Sequence, residues 1–325
     1  LVTHLDIKRK EGGQWGVKWK HKHLLGIDQL SGEEIRFLLE KGNQYREWLE
    51  QSPKKLTRLS GYYLINLFFE ASTRTRVSFE MAGKLLGMEV VNFTNELSSL
   101  NKGESFRDTV RTLARMKVDA LVIRHRSSGI PLYISQFLPF HIINAGDGMR
   151  EHPTQALLDL LTMKRDGIDF TRNTVAIIGD ILHSRVARSL SIGLKKLGSQ
   201  VIFSGPPTLI PKGIEVLEGQ VVYPVEEAIR QADVVYLLRI QKERQEAGFF
   251  PSAKEYASFF GLKEKPKGPD GRWKKIMHPG PVNRGLEIDS SLVEKENSLI
   301  EEQVSCGLAI RMAVLETLIL GGANG

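Results

Sequence analysis

Cysteine is almost absent from this chain. Cys306 is the only one in 325 residues, so no intrachain disulfide can form, and no basic segment followed by an apolar run opens the sequence in the manner of a secretory signal. The two absences together predict a cytoplasmic protein. Long apolar runs are missing as well: the longest, residues 307–320, is interrupted by Arg311 and Glu316, which argues against a membrane span and predicts a packed terminal helix. No second His or Cys stands at metal-ligand spacing from His152, so no metal site is expected. The strand candidate at 174–178 is followed by Gly179 alone, without the further glycines of a Gly-x-Gly-x-x-Gly turn, which excludes a dinucleotide cradle there. The sequence contains no internal repeat and no low-complexity segment.

What is present is enough apolar material for two domains of ordinary size, with 41% hydrophobic and 8% aromatic residues. The net charge of +7 is unevenly spread. Residues 1–23 carry six Lys or Arg against Asp6 and Glu11, a net of +4, which leaves +3 for the other 302 residues. That distribution predicts a solvated basic extension over residues 1–23 and no nucleic-acid groove.

Strand and helix patterns alternate from Tyr62 onward. Apolar runs at 62–69, 89–93, 120–123 and 142–143 alternate with helical spacing at 77–86, 108–116 and 132–137. A second alternation follows, with strands at 174–178, 201–204, 221–223, 234–238 and 275–277 and helices at 185–197 and 225–231. The pattern predicts an α/β chain of two doubly wound parallel-sheet domains with an active-site cleft between them. The Pro- and Lys-rich stretch 261–271 reads as a mobile surface loop.

Candidate ligand groups sit where strands end. Phe68 to Glu80 reads Phe-Phe-Glu-Ala-Ser-Thr-Arg-Thr-Arg-Val-Ser-Phe-Glu, with Ser72 as the helix N-cap and Thr73, Arg74 and Thr75 in the first turn. A first-turn arginine opposes the helix dipole at a cost of ~0.3–1 kcal/mol, so two of them, Arg74 and Arg76, point to an anionic ligand at the unbonded N–H groups. Pro153 fits the first position of another helix, which places His152 and Gln155 at its start, and an imidazole N–H with a Gln NH₂ suits a carbonyl-bearing ligand. Arg124 and His125 follow the strand at 120–123, Arg239 and Gln241 follow the strand at 234–238, and Arg185 opens a helix after Gly179-Asp180. Strand-end arginines in both halves suggest two bound anions, one of them a carboxylate in a bidentate fork. Ser98 and Lys102 lie on a Gly-containing loop, and His278-Pro-Gly-Pro-Val-Asn-Arg284 follows the last strand with its geometry preset by Pro279 and Pro281.

Ser72-Thr-Arg-Thr-Arg76 with His152-Pro-Thr-Gln155 resembles the carbamoyltransferase family, over about residues 22–321. Arg239-Ile-Gln-Lys-Glu-Arg244 and His278 to Arg284 resemble its aspartate-using members, and the His-Cys-Leu-Pro and Ser-Met-Gly motifs of its ornithine-using members are absent. The resemblance implies transfer of the carbamoyl group of carbamoyl phosphate to L-aspartate, a step of pyrimidine biosynthesis, without a cofactor. It implies carbamoyl phosphate at Ser72, Thr73, Arg74, Thr75, Arg124, His152 and Gln155, with Ser98 and Lys102 lent by a neighbouring subunit of a homotrimer. L-Aspartate falls to Lys102, Arg185, Arg239 and Gln241, and Pro279 and Gly280 supply backbone groups. The implied domains are an extension at 1–23, a carbamoyl phosphate domain at 24–152 with the helix 305–325 packed back on it, and an aspartate domain at 153–304. The implied partners are these small substrates, with no nucleic acid and no membrane; regulatory chains or a dihydroorotase as further partners are left open.

Overall fold

The computed structural model describes residues 19–51, 55–94, 105–240, 252–268 and 271–321. The chain divides into one unit of residues 1–161 with 305–325 and another of residues 162–304.

In the first unit, α1 (Gly32–Glu50) opens with a capping box. The Ser31 hydroxyl accepts from the Glu34 N–H at 3.2 Å while the Glu34 carboxylate accepts from the Ser31 N–H at 2.8 Å. β1 (Tyr63–Phe68), α2 (Thr73–Leu86), β2 (Glu89–Thr94), α3 (Phe106–Ala114), β3 (Ala120–His125), α4 (Ile130–Ser135), β4 (His141–Asp147) and α5 (Pro153–Arg165) follow. The sheet is all parallel in the order β2-β1-β3-β4. Strands covered on both faces read as near-continuous apolar runs, as β1 and β3 do. Asn66 breaks the run in β1 and is fully buried; it faces its register partner Asn92 and donates to that side chain at 2.9 Å.

The second unit contains β5 (Thr174–Ile178), α6 (Arg185–Leu197), β6 (Gln200–Ser204), β7 (Gln220–Val221), α7 (Val225–Gln231), β8 (Val234–Leu237), α8 (Ala253–Phe259) and β9 (Lys275–Met277). Its sheet is also all parallel, in the order β7-β6-β5-β8-β9. The α/β class and the two parallel sheets agree with the strand and helix alternation. α8 is an element the periodicity does not reveal: it has seven residues with only Tyr256 buried, so the short segment has no apolar stripe. Its start is fixed by the Ser252 hydroxyl, which accepts from the Glu255 N–H at 3.0 Å.

The final helix, α9 (Ile300–Gly321), is longer than the apolar run suggests, and it is long and apolar enough by composition to cross a membrane. Arg311 and Glu316, the two charges inside its apolar run, read instead as core chemistry. Glu316 is buried against Lys41 of α1, with Oε2 at 2.8 Å from Nζ, and also accepts from Arg58. Arg311 is buried too, donating to Ser78 Oγ at 2.8 Å.

Two expectations need correcting. Residues 19–23 are not a solvated arm. Trp19 is buried and donates to the His21 carbonyl, His21 meets Glu34 at 2.9 Å, and the Lys22 carbonyl accepts from His141 Nδ1 at 2.8 Å. Aromatic and imidazole groups here supply packing that the lysines of the same stretch conceal from a charge count. Nor is the stretch after Gly261 an untethered loop: Leu262 is buried and bridges Ile288, Lys267 bridges Trp273, and the Pro266 carbonyl accepts from the Lys274 N–H at 2.9 Å. Lys265 Nζ lies 4.2 Å from the centre of the Trp273 ring, which holds the charged tip against an aromatic face.

His23 carries a pH signature. Its Nδ1 accepts from the Ile142 N–H at 3.1 Å, which requires that nitrogen to be unprotonated, and burial, with Lys22 and His141 nearby, pushes its pKa from 6.5 down to about 4. A histidine held neutral by the fold stabilises fully above its unfolded pKa, and that stability is lost as pH falls from 6.5 toward 4. Thermal unfolding followed across that window should show a falling Tm in the wild type and a flatter profile in His23→Asn, whose amide oxygen can replace the acceptor without titrating.

Candidate functional site

In the first unit the chain runs from β1 to β2 on one side, then crosses back to place β3 on the other side of β1. Connections leaving the carboxyl ends of β1 and β3 therefore part from each other, and such switch points are where open α/β sheets bind ligands. Phe68 and Arg124 are register partners there, and the Phe69 N–H donates to the Arg124 carbonyl at 2.9 Å. Arg124 is the last residue but one of β3 rather than the first beyond it, because the strand runs on to His125. Its Nη2 donates to Glu70 Oε1 at 2.7 Å and its Nη1 to the Ala145 carbonyl at 3.4 Å, so the side chain ties the β1–α2 connection to the end of β4. Glu70 lies inside the quoted motif, but its partnership with Arg124, 54 residues away, left no local signal.

Ser72 occupies the N-cap position of α2, as expected, yet its hydroxyl accepts no bond from the helix. Thr73 and Arg74 are exposed at the first turn, and Thr75 is buried. The helix stops at Gly87, whose φ of +97° suits glycine, and a Cβ there would lie 2.8 Å from the Leu56 carbonyl oxygen.

The lead into α5 is built around Asp147, fully buried at the end of β4. Its carboxylate accepts from Asn144 Nδ2 at 2.8 Å, from the Gly129 N–H at 2.7 Å and from the Glu151 N–H at 3.1 Å. Gly148 has φ +48°, and a Cβ on it would fall 2.7 Å from the Ser128 nitrogen, so the turn delivering His152 admits only glycine. His152 and Gln155 are both buried at the start of α5. The Gln155 amide nitrogen donates one of its two hydrogens to Asp159 Oδ1 at 3.1 Å, which leaves the second outside this bond. A carboxylate one turn along a helix is a ready acceptor, and motif reading stopped at the glutamine. His125 follows Arg124 at the end of β3. Its Nδ1 accepts from the Ser127 N–H at 2.9 Å, and its ring lies 5.4 Å from that of Phe69; burial lowers its pKa.

The second unit repeats the arrangement. β5, β6 and β7 run one way and β8 lies on the other side of β5, which sets a switch point between β5 and β8. The Leu238 N–H donates to the Ile178 carbonyl at 2.8 Å, and Arg239 follows directly. From β5 the chain passes Gly179, with φ +127° and no room for a Cβ beside Tyr256 Oη at 2.9 Å, to the Ser184 cap of α6 and to Arg185 in its first turn. Asp180 Oδ1 and His183 Nδ1 pair at 2.9 Å inside this connection. Arg185 and Arg239 thus stand on the two connections that part at one switch point.

Residues 278–287 are held by a carboxylate that sequence reading missed. Glu287 is 1% exposed and accepts from the Ile240 N–H at 2.8 Å, from the Asn283 N–H at 2.7 Å and from Asn283 Nδ2 at 2.6 Å. His278 Nε2 lies 3.7 Å from it, while His278 Nδ1 accepts from the Gly280 N–H at 2.9 Å. Pro279 and Gly280 are half-buried on this turn. Ser98, Lys102 and Gln241 lie outside the described residues.

Residues 22–165 match the family model for the carbamoyl-P binding domain of aspartate/ornithine carbamoyltransferases, and residues 172–318 match the model for their Asp/Orn binding domain. The chain belongs to the aspartate/ornithine carbamoyltransferase family. It is 48% identical over 309 residues to an aspartate carbamoyltransferase catalytic subunit of Syntrophotalea carbinolica, covering 94% of this chain and 97% of that one. Its fold is similar to that of aspartate transcarbamoylase from Trypanosoma cruzi solved with carbamoyl phosphate and aspartate, at a TM-score of 0.80 and 29% identity, over 92% of this chain and 95% of that one. Ornithine carbamoyltransferase from Pyrococcus furiosus is as similar in fold, at a TM-score of 0.81 and 28% identity, over 94% of this chain and 99% of that one. Fold alone therefore does not choose the amine acceptor.

Burial by itself raises the Glu287 pKa, but the nearby His278 and the bonds from Ile240 and Asn283 outweigh it and leave the carboxyl below its ordinary 4.5. A depressed carboxyl stabilises the fold above its unfolded pKa, and that contribution is lost as pH falls through the folded value. Urea unfolding of Glu287→Gln should show reduced stability at pH 7 and a weaker acid dependence below pH ~4.5 than the wild type; parallel curves would refute the assignment.

Proposed function

We propose that the chain transfers the carbamoyl group of carbamoyl phosphate to the amine of L-aspartate, giving N-carbamoyl-L-aspartate and phosphate. The observation that carries this reading is Arg124 at the β1–β3 switch point, one connection away from the Ser72 to Thr75 helix start. That pairing presents backbone N–H groups, hydroxyls and a guanidinium at one sheet edge, the combination a phosphorylated acyl donor needs.

A carbamoyl phosphate domain of residues 24–152, with the helix 305–325 packed back on it, takes that substrate through Ser72, Thr73, Arg74, Thr75, Arg124 and His152, with Gln155 just beyond. Residues 153–304 take L-aspartate through Arg185, Arg239 and Gln241, with backbone groups of Pro279 and Gly280. Ser98 and Lys102 serve the site of a neighbouring subunit in a homotrimer. The amine nitrogen attacks the carbamoyl carbon, negative charge grows on the carbonyl oxygen, and the bond to the phosphate oxygen then breaks. Thr75, Arg124 and His152 stabilise that oxygen, while Arg74, the α2 N–H groups and Lys102 receive the departing phosphate, which also accepts the amine proton. Losing one such donor typically costs ~2.7–4 kcal/mol of transition-state stabilisation.

The second switch point favours a dicarboxylate over ornithine, because Arg185 and Arg239 are cations at a site where a side-chain ammonium would be repelled. Incubation with carbamoyl phosphate should yield carbamoyl aspartate from L-aspartate and no citrulline from L-ornithine; the reverse outcome moves the chain to the ornithine branch. Arg239→Met should raise the KM for L-aspartate about tenfold to a hundredfold, since a hydrogen bond to a charged group contributes ~1.5–3 kcal/mol, and should leave the KM for carbamoyl phosphate nearly unchanged.

A further inference from the structure

The end of β4 carries a bulge that has no part in the transfer reaction as described above. Ile123 of β3 pairs with Asn144, yet His125, two residues on, pairs with Asp147, three residues on, so β4 holds one residue more than its neighbour. A bulge takes backbone groups out of the ladder, and here side chains meet them. The Gly146 N–H donates to Asn144 Oδ1 at 2.8 Å, and the Ala145 carbonyl accepts from Arg124 Nη1 at 3.4 Å. Asn144 is fully buried, and its amide nitrogen donates to Asp147 Oδ1 at 2.8 Å and to the Leu25 carbonyl at 2.9 Å.

Asp147 is fully buried too, and N–H groups rather than a cation satisfy it: Arg150 Nη1 stands 4.0 Å away, beyond hydrogen-bond reach. Its two oxygens face different segments. Oδ1 accepts from Asn144 and from the Glu151 N–H at 3.1 Å, while Oδ2 accepts from the Gly129 N–H at 2.7 Å. One carboxylate thus joins the bulge, the start of α4 and the backbone of Glu151, the residue before His152. The Asp147 N–H closes the same turn on the Glu151 carbonyl at 3.1 Å.

We propose that Asn144 and Asp147 are positioning residues for His152. Together they hold Glu151 by both its N–H and its carbonyl, which fixes where α5 begins and so where the imidazole stands. The inference rests on the reading of His152 as a donor to the carbonyl oxygen of carbamoyl phosphate made above. Such a donor acts best when it is aimed before the charge develops, and a displacement of about 1 Å can lower a rate about a hundredfold. An amide at position 147 cannot take over. Its NH₂ would face the Gly129 N–H in one orientation and the donors of Asn144 and Glu151 in the other, so a donor meets a donor either way.

The test is a double-mutant cycle read in kcat. Asp147→Asn keeps the shape of the side chain and should lower kcat about ten- to a hundredfold. The KM for L-aspartate and the affinity for inorganic phosphate, measured by calorimetry, should stay within about twofold of the wild type. On a His152→Ala background the same substitution should lower kcat by no more than about twofold, since the group it positions is already gone. An undiminished further loss on that background, or a loss of phosphate affinity in parallel with kcat, would assign Asp147 to general stability and overturn the proposal. So would an unchanged kcat in folded Asp147→Asn. If that variant does not fold, Asn144→Ser, which does not touch the bonds from Gly129 and Glu151 to Asp147, goes through the same cycle with an expected fall of about three- to tenfold. Failure of both to fold overturns the proposal as well. His152→Ala by itself tests the reading beneath: wild-type kcat there, or a wild type that forms no carbamoyl aspartate, removes the role of His152 and not merely its positioning.

Discussion

The position of β1 between β2 and β3, and of β5 between β6 and β8, is the constraint on which the placement of the arginines in each unit depends. A right-handed crossover from a parallel strand lays its helix on one face of the sheet when the chain moves one way and on the opposite face when it moves the other. Where the direction reverses, the two departing connections separate and the carboxyl ends of two adjacent strands are left uncovered. Phe68 beside Arg124, and Ile178 bonded to Leu238 just before Arg239, are those two places. The arginines stand where the topology opens a gap.

Holding cations there requires countercharges, and the chain places them with unequal burial. Arg124 is paired with Glu70, which is partly accessible, so the pair remains within reach of a ligand and of water. The carboxylates that only hold the fold together are deeper: Glu316, with Lys41 and Arg58, and Glu287, with the backbone of Ile240 and Asn283. Buried ion pairs seldom repay their desolvation unless further hydrogen bonds satisfy them. Glu287 meets that condition with three N–H donors. Family membership and the two separate motif-bearing helix starts then fall into one picture, a parallel-sheet unit that collects anion-binding groups at one edge.

Much of this was legible in the sequence. Residues 174–178, 185–197, 225–231 and 275–277 form the expected elements to the residue, because a strand buried on both faces and a helix with one apolar stripe leave patterns confined to neighbours in the chain. α8 left none, having a single buried residue. Residues 19–23 were masked by their own lysines, although Trp19 and His21 pack against the first unit. The partner of the Gln155 amide left no mark either, since nothing in His-Pro-Thr-Gln says that the carboxylate four residues on points inward.

The sequence by itself determined the family, the two parallel α/β units and the candidate anion-binding residues at strand ends and helix starts, because motif and periodicity are properties of short stretches. Only tertiary structure decided that Arg124 answers Glu70, that Asp159 holds Gln155 and that Arg311 braces α2 through Ser78. Two of these bonds join residues 54 and 233 positions apart, and the third depends on which face of α5 is buried. Long-range pairings and side-chain direction are settled by packing, and packing leaves no periodic mark on the chain.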